Sequence, residues 1–531
     1  MTSPEPGPVS PDLELGAFSE HGPWVVDPDA MPWRQGLDAI RAHTRLRVPE
    51  LLEVRTIPPL ERGARVLTAV GAAVASWYAR ERGTTRSRRG ISRRLRVAFG
   101  NLGSTFVKLG QIVSALEGIL PPELVDEFKL LRDQVPPEPF NDIRLVVERD
   151  FGRPLAALFS EFSQEPLAAA SIAQVHAARL RTGEEVVVKV QRPQVGTLVR
   201  EDLAALAWLA PKLIGRIPVA SLANPPALLQ LFAEQVVEEL DFRLEAENML
   251  DLARVLAITG QRKLVVPRPH PMLVTRRVLV MERMRGFAFD DVGSMHAAGL
   301  DTADILHAGL IAFLEGALIH GIFHGDLHGG NLLVQPTGRV VVFDFGIMGR
   351  LDDTHRLAFL RLLFAGTTGD VRGQLAALRD LGAFPVDTDL DAVIVDLGLD
   401  QPVVDPTSLT ADELVREMRE LVTKLLAYGA STPKDLVLFV KNLMFLNAAT
   451  ATLAPDLDLL AEVQAVYVYF AQTHGERIVR ELGIDPTATD VDLDAVKAGL
   501  LVPPEVDHLT FRDLQERRQL ILKRMGERGR R

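Results

Sequence analysis

Two hydrophobic periods divide this chain. From about residue 46 to 150, apolar residues return every three or four positions, as at Leu102, Phe106, Leu109 and Val113. That is the spacing of one buried helical face. Pro121-Pro122 ends the run, because proline lacks an N–H and clashes with the preceding turn. The period then shortens. Glu185-Val-Val-Val-Lys-Val-Gln191, Val278 to Glu282 and Arg339 to Phe343 are short and rich in β-branched residues, so they predict buried strands. Helical spacing returns in Leu228 to Arg254, Ala303 to His320, Thr354 to Phe364 and Leu414 to Leu426. Strands placed early and helices placed late predict an α+β fold carrying a large helical region. The first 45 residues or so are rich in Pro and Gly and predict an extended arm. From about Glu505 the chain is charge-dense and predicts a solvated helix.

Composition narrows the picture. At 531 residues and 47% apolar, the chain exceeds one core and predicts two or three units. A net charge of −11 argues against a general nucleic-acid binder, which needs a basic surface to neutralise phosphates. No cysteine is present, which excludes disulfides, Cys-ligated zinc, iron–sulfur clusters and thiol nucleophiles. The opening MTSPEPGPVSP has no apolar core of the kind a signal peptide needs, so export is not expected. The longest run free of charge, amide and proline is Val66 to Ala79. It falls short of the roughly 20 residues of a bilayer span, so none is expected. It leads into Arg80, Arg82, Arg86, Arg88, Arg89, Arg93, Arg94 and Arg96, opposed only by Glu81. Two readings fit: a packed helix with a solvated basic face, or a helix lying on an anionic membrane surface.

The densest chemistry is His324-Gly-Asp-Leu-His-Gly-Gly-Asn331, followed by a strand and Asp344-Phe-Gly346. Phosphoryl transfer from ATP needs such a set. One carboxylate, Asp326, orients or deprotonates the attacking hydroxyl, while an amide oxygen and a second carboxylate, Asn331 and Asp344, hold Mg²⁺. Such a site also needs a cation on a strand paired with a helical acid, and Lys189 fits the strand. Apolar residues flank it on both sides, so a buried Lys189 requires a partner. Glu238, Asp241, Glu245 and Asn248 fall on one stripe of a single predicted helix, with Glu239 off it. Any of these acids can supply the partner. Where a glycine-rich phosphate loop belongs, the chain has Ala168-Ala-Ala-Ser171, which is stiffer because each alanine carries a Cβ. No Gly-x4-Gly-Lys occurs, so a P-loop is excluded. Leu279-Val-Met-Glu-Arg-Met284 predicts a strand entering a hinge, with Met281 as gatekeeper and the Glu282 and Met284 backbone offered to adenine.

These residues, with Lys108-Leu-Gly-Gln111 and Glu239-Leu-Asp241, resemble the UbiB (AarF-like) family of atypical protein-kinase-like proteins. The resemblance runs from about residue 95 to 455. It implies a two-lobed, protein-kinase-like α+β fold with an N-terminal helical extension and a mainly helical C-lobe. The implied order is an arm over 1–45, a helical extension over 46–150, an N-lobe with a helical insert over 151–285, a C-lobe over 286–480 and a tail over 481–531. It further implies that Lys189 binds phosphate and pairs with Glu245. The helix of Lys108 and Gln111 would cover the active site, with Lys108 tied to Glu239 or Asp241.

Three departures from the family stand out: the stretch after Gln111 lacks an Arg-Pro-Asp-like segment, Gly329-Gly330 stands where Pro-Gly is common, and the C-terminal transmembrane helices that some members carry are not expected in this sequence. The implied function is an Mg²⁺-dependent ATPase or phosphotransferase supporting isoprenoid-quinone biosynthesis or lipid homeostasis. ATP, Mg²⁺ and an isoprenoid lipid or quinone precursor are the expected ligands, and the expected location is cytoplasmic, peripheral on the inner membrane face. Two alternatives stay open. One is a small-molecule phosphotransferase like the aminoglycoside and choline kinases; the other is a non-catalytic, ATP-switched lipid-binding or scaffold module.

Overall fold

The structure, a computed structural model, describes residues 18, 24, 30–53, 60–81, 87–115, 122–131, 136–213, 225–401, 420, 424–425, 427–431, 433–486, 491–500, 502–503 and 505–527. Arg82, Arg86 and most of the helix expected over Leu414 to Leu426 lie outside the described residues. The chain divides into two compact units. The first comprises residues 1–257, 265–285 and 342–347, and the second 258–264, 286–341 and 348–531. The architecture is α+β, as the hydrophobic periods predict.

In the first unit, helices α1 (Leu37–Leu46), α2 (Leu60–Arg80), α3 (Ser87–Leu102), α4 (Ser104–Ala115), α5 (Pro122–Phe128) and α6 (Phe140–Phe151) precede an antiparallel sheet. Its strands are β1 (Phe159–Phe162), β2 (Ala168–Ala169), β3 (Ala173–Leu180), β4 (Glu185–Gln191), β5 (Pro269–Val274) and β6 (Val278–Glu282), in the order β1-β3-β4-β6-β5 with β2 on β3. Between β4 and β5 run α7 (Val195–Leu213), α8 (Pro225–Glu238) and α9 (Phe242–Ile258). The strand period of two sorts β4 cleanly. Val186, Val188 and Val190 enter a core with Ile143, Val146 and Val147 of α6, so Lys189 projects from the opposite face.

Two predicted helical runs break in the structure. The Leu102 to Val113 period is interrupted at Gly103, whose φ of +105° is open to glycine and closed to most other residues. The run from Leu228 to Arg254 stops at Glu239-Leu-Asp241, between α8 and α9. There the Asp241 carboxylate accepts from the Arg243 N–H at 3.1 Å and from its guanidinium at 2.7 Å, capping the new helix. Apolar periodicity alone does not register a cap inside the run.

The α2 and α3 helices pack on each other and bury Val66, Val70, Ala73 and Trp77 with Ile91, Leu95 and Leu102. Part of the basic stretch is paired within the protein: Arg94 and Arg93 meet Glu81 at 2.7 and 3.4 Å, and Arg96 meets Glu127 at 3.2 Å. Arg88 and Arg89 are exposed.

In the second unit, strand β7 (Phe287–Ala288) pairs with β9 (Leu332–Val334), and β8 (Ile322–His324) with β11 (Met348–Arg350). Strand β10 (Val340–Val342) carries the chain toward Asp344. Helices α10 (Thr302–Leu318), α11 (Asp353–Thr367), α12 (Lys434–Leu453) and α13 (Leu459–Leu482) are among those that make up the rest. The α12 helix is long and apolar enough to cross a membrane, by length and composition only, an element absent from the sequence expectations. Its Phe439 ring meets those of Phe313, Phe323 and Phe359 at centroid distances of 5.2, 6.0 and 4.5 Å, the Phe323 contact edge-to-face, and its Asn442 is fully buried. These contacts make it a packed helix of this unit.

Gly349 on β11 sits opposite Phe323 on β8. A Cβ there would lie 2.2 to 2.6 Å from three atoms of the Phe323 ring, and that ring is fixed by Phe313 and Phe439. Gly349→Ala is expected to cost about 1–3 kcal/mol of stability. A thermal melt checks this; an unshifted midpoint would contradict the packing.

Candidate active site

Lys189, on the face of β4 away from the valine core, ends between two carboxylates. Its Nζ donates to Glu245 Oε1 at 2.6 Å and to Asp344 Oδ1 at 3.0 Å, and lies 5.4 Å from the Phe242 ring centre. Glu245 lies in the first turn of α9, so the cap at Asp241 fixes where that carboxylate starts. Burial disfavours the ammonium, but Asp344 and Glu245 outweigh it and hold the Lys189 pKa above the ordinary lysine range. Burial pushes the Glu245 carboxyl up, with Lys189 pulling it back. Glu245 is 4% exposed and Asp344 47%, so the two partners of the lysine differ in their access to solvent. Asp344 has φ +56°, a left-handed conformation that Asp tolerates better than most side chains.

The rest of α9 ties the same region together. Asn248 donates to Phe345 O at 2.8 Å and accepts from Arg41 at 3.0 Å, while Glu247 takes Arg34 in two bonds of 2.8 Å. Glu239, in the α8–α9 break, meets Lys108 of α4 at 2.8 Å, both side chains being 13% exposed. Asp241 instead serves Arg243, which settles the partner of Lys108. A continuous helix would point Glu239 away from the stripe; the break turns it inward. Gly346 permits this, since a Cβ there would sit 3.1 Å from Glu239 Cγ. Burial raises the Glu239 pKa, with Lys108 opposing. Gln111 is half-buried on α4, three residues beyond Lys108.

The alanine segment is a hairpin. Ala168 and Ala169 pair with Val175 and Gln174, and the Ala170 N–H closes a turn on Ala173 O at 2.8 Å. Ser171 is buried. The Arg192 side chain, 7% exposed overall, donates from Nε to Ala170 O at 2.9 Å and from its guanidinium to Glu138 and Pro136 O. At the end of β6, Met281 and Glu282 are buried, the Glu282 N–H is spent on Arg268 O, and Met284 is half-buried beyond the strand.

In the second unit the loop after β8 carries Asp326 and Asn331. The Asp326 N–H donates to His324 Nδ1 at 3.1 Å, and Asn331 Nδ2 donates to Asp326 O at 3.0 Å. That bond commits the amide NH₂ of Asn331 and turns its oxygen elsewhere. Helix α12 braces the loop: Asn442 donates to His324 O at 2.6 Å and accepts from the Leu327 N–H at 3.1 Å, and Lys441 Nζ pairs with the Asp326 carboxylate. Thus Lys108, Lys189, Glu239, Glu245 and Asp344 gather in one unit, and Asp326 and Asn331 in the other. Sequence reading missed Lys441, Asn442 and Arg192. Lys441 and Asn442 lie 115 or more residues from their partners, and none of the three stands in a motif that would mark it. Among the described residues, no group of three or more His, Asp or Glu is placed to hold a metal ion.

Residues 130–377 match the ABC1 atypical kinase-like domain family. A probable protein kinase UbiB of Pseudomonas fluorescens is 32% identical over 428 residues, covering 80% of this chain and 77% of that one. The chain belongs to the UbiB/AarF family of atypical kinase-like proteins. An uncharacterised aarF domain-containing protein kinase, chloroplastic, of Arabidopsis thaliana is 31% identical over 408 residues, covering 72% of this chain and 75% of that one. An uncharacterised Mycobacterium tuberculosis protein is 34% identical over 399 residues, covering 72% and 78%. For this UbiB-family chain, the Lys108–Glu239 pair gives a pH signature. Glu239 has a raised pKa, so the stability it contributes is present below the ordinary glutamate value and is lost as pH rises through the shifted one. Lys108→Met removes the cation that opposes this shift. Its deficit in melting temperature against the parent is expected to grow from pH 5 to pH 8. Equal deficits at both values would refute a buried, charge-matched Glu239.

Proposed function

We propose that this protein binds Mg²⁺-ATP and transfers its γ-phosphoryl group, to water or to an acceptor, in support of isoprenoid-quinone biosynthesis or lipid homeostasis. The observation that carries the reading is Lys189 held between Glu245 and Asp344, a strand cation matched by a helical acid and by the acid of Asp-Phe-Gly. Lys189 holds phosphate oxygens, with Glu245 keeping the ammonium in place, and the more exposed Asp344 would be a ligand of the metal. The Asp344 carboxylate and the Asn331 amide oxygen are hard donors that suit Mg²⁺, and bound Mg²⁺ would neutralise phosphate charge. Asp326 accepts a hydrogen bond from the attacking hydroxyl. As the new P–O bond forms, the bond from γ-phosphorus to the bridging oxygen breaks, ADP leaves, and the hydroxyl proton passes to Asp326 and then to solvent. The Ala168, Ala169, Ala170 and Ser171 turn would lie over the phosphates, and Met281, Glu282 and Met284 would face adenine, Glu282 without its N–H, which is bonded to Arg268 O.

Lys108 pairs from the α4 helix with Glu239, which lies close to Gly346. That pairing favours the UbiB-type reading, in which Gln111 acts from the same helix, over an aminoglycoside- or choline-kinase-like one, for which no covering helix is required. The relatives named UbiB support a link to ubiquinone biosynthesis. The exposed Arg88 and Arg89, with the mostly exposed Arg93, support contact with an anionic membrane surface, the peripheral location expected above.

ATP turnover by the purified protein, with and without Mg²⁺, a quinone-precursor mimic and anionic liposomes, tests the reading. Asp344→Asn is expected to weaken Mg²⁺-dependent nucleotide binding at least about tenfold, a loss of about 1.4 kcal/mol. Unchanged affinity would remove Asp344 from the metal role. Phosphorylation of amino alcohols or aminoglycosides would favour the alternative. Replacing Arg88, Arg89 and Arg93 with Gln is expected to weaken binding to anionic vesicles, most clearly at low salt. Equal binding by parent and variant would exclude this patch as the contact.

A further inference from the structure

We propose that Lys441 is the positioning residue for Asp326, a role that rests on the phosphoryl-transfer reading above. The stretch His324 to Asn331 contains no Lys or Arg, so the loop brings no fixed positive charge of its own. The charge comes from α12: Lys441 Nζ pairs with Asp326 Oδ1 across 115 residues of sequence.

The side chains are 24% and 22% exposed, so the pair is partly shielded from solvent. The loop around it is tied down by hydrogen bonds. Asn442, the next residue, is fully buried and bonded to His324 O and to the Leu327 N–H, which sets the register of α12 against the loop. The Asp326 backbone is held on both sides, by its N–H to His324 Nδ1 and its carbonyl from Asn331 Nδ2. Those bonds act on the backbone, whereas Lys441 holds one oxygen of the carboxylate itself, which bears on the direction in which it accepts a hydrogen bond. Orientation of this kind is worth much in rate, since small misplacements of a reacting group cost up to about 10²-fold.

Four variants of the full chain decide the matter: Lys441→Met, Lys441→Arg, Asp326→Asn and the Lys441→Met/Asp326→Asn double, each checked by thermal melt. Lys441→Met is expected to lower kcat for ATP turnover by about 10- to 100-fold while KM for ATP stays within about twofold. Lys441→Arg should recover most of that loss, and the double variant should be no slower than Asp326→Asn alone. The proposal is overturned if Lys441→Met keeps kcat within about twofold of the parent, if Lys441→Arg is as slow as Lys441→Met, or if the two losses multiply. If Lys441→Met fails to fold, Lys441→Gln carries the same test. An inactive parent would sink the phosphoryl-transfer reading and this inference together, whereas an active parent with an unmoved variant sinks this inference alone.

Discussion

A lysine cannot sit in an apolar sheet without a counter-charge, and the first unit is arranged around that constraint. Moving an ammonium out of water costs several kcal/mol unless a close carboxylate and good geometry offset it. The valine face of β4 forces Lys189 to the other side of the strand. There it meets Glu245, in the first turn of an α9 helix that starts just after Asp241 and does not continue from α8. One desolvated charge thereby ties together a strand face, a helix start and Asp344.

The same constraint repeats at Glu239. It stands in the break between α8 and α9, and it is matched by Lys108 from a helix about 130 residues earlier. The two pairs share a neighbourhood: Gly346 passes close to Glu239, and Asp344 touches Lys189. Like charges among Glu239, Glu245 and Asp344 repel, so removing either lysine leaves more than one carboxylate poorly compensated. That is why these motifs form one electrostatic unit although the sequence spreads them over some 240 residues.

Much of this was legible in the sequence. The strands around Lys189 and Met281 follow from β-branched runs, and the pairing with Glu245 was among the options that helical spacing allowed. The choice between Glu239 and Asp241 as the partner of Lys108 was not legible. It depends on a cap, and a capping aspartate inside an apolar period looks like one more polar face position. The Arg192 brace on Ala170 and the α12 brace on the catalytic loop were also hidden, because a single lysine, asparagine or arginine without a motif carries no marker of its distant partner.

Helix α12 carries a further consequence. A window of hydropathy weighs Lys434–Leu453 as a sum and finds enough carbon to dissolve in lipid. The sum conceals where the polar residues stand: Lys441 and Asn442 fall near the midpoint, where a bilayer charges about 2.5–3.5 kcal/mol for a lysine. Leaving the protein would also strip the His324 carbonyl and the Leu327 N–H of their partner, the Asn442 side chain. Two adjacent side chains near the middle of an otherwise apolar helix thus carry the bonds that join it to the loop after β8.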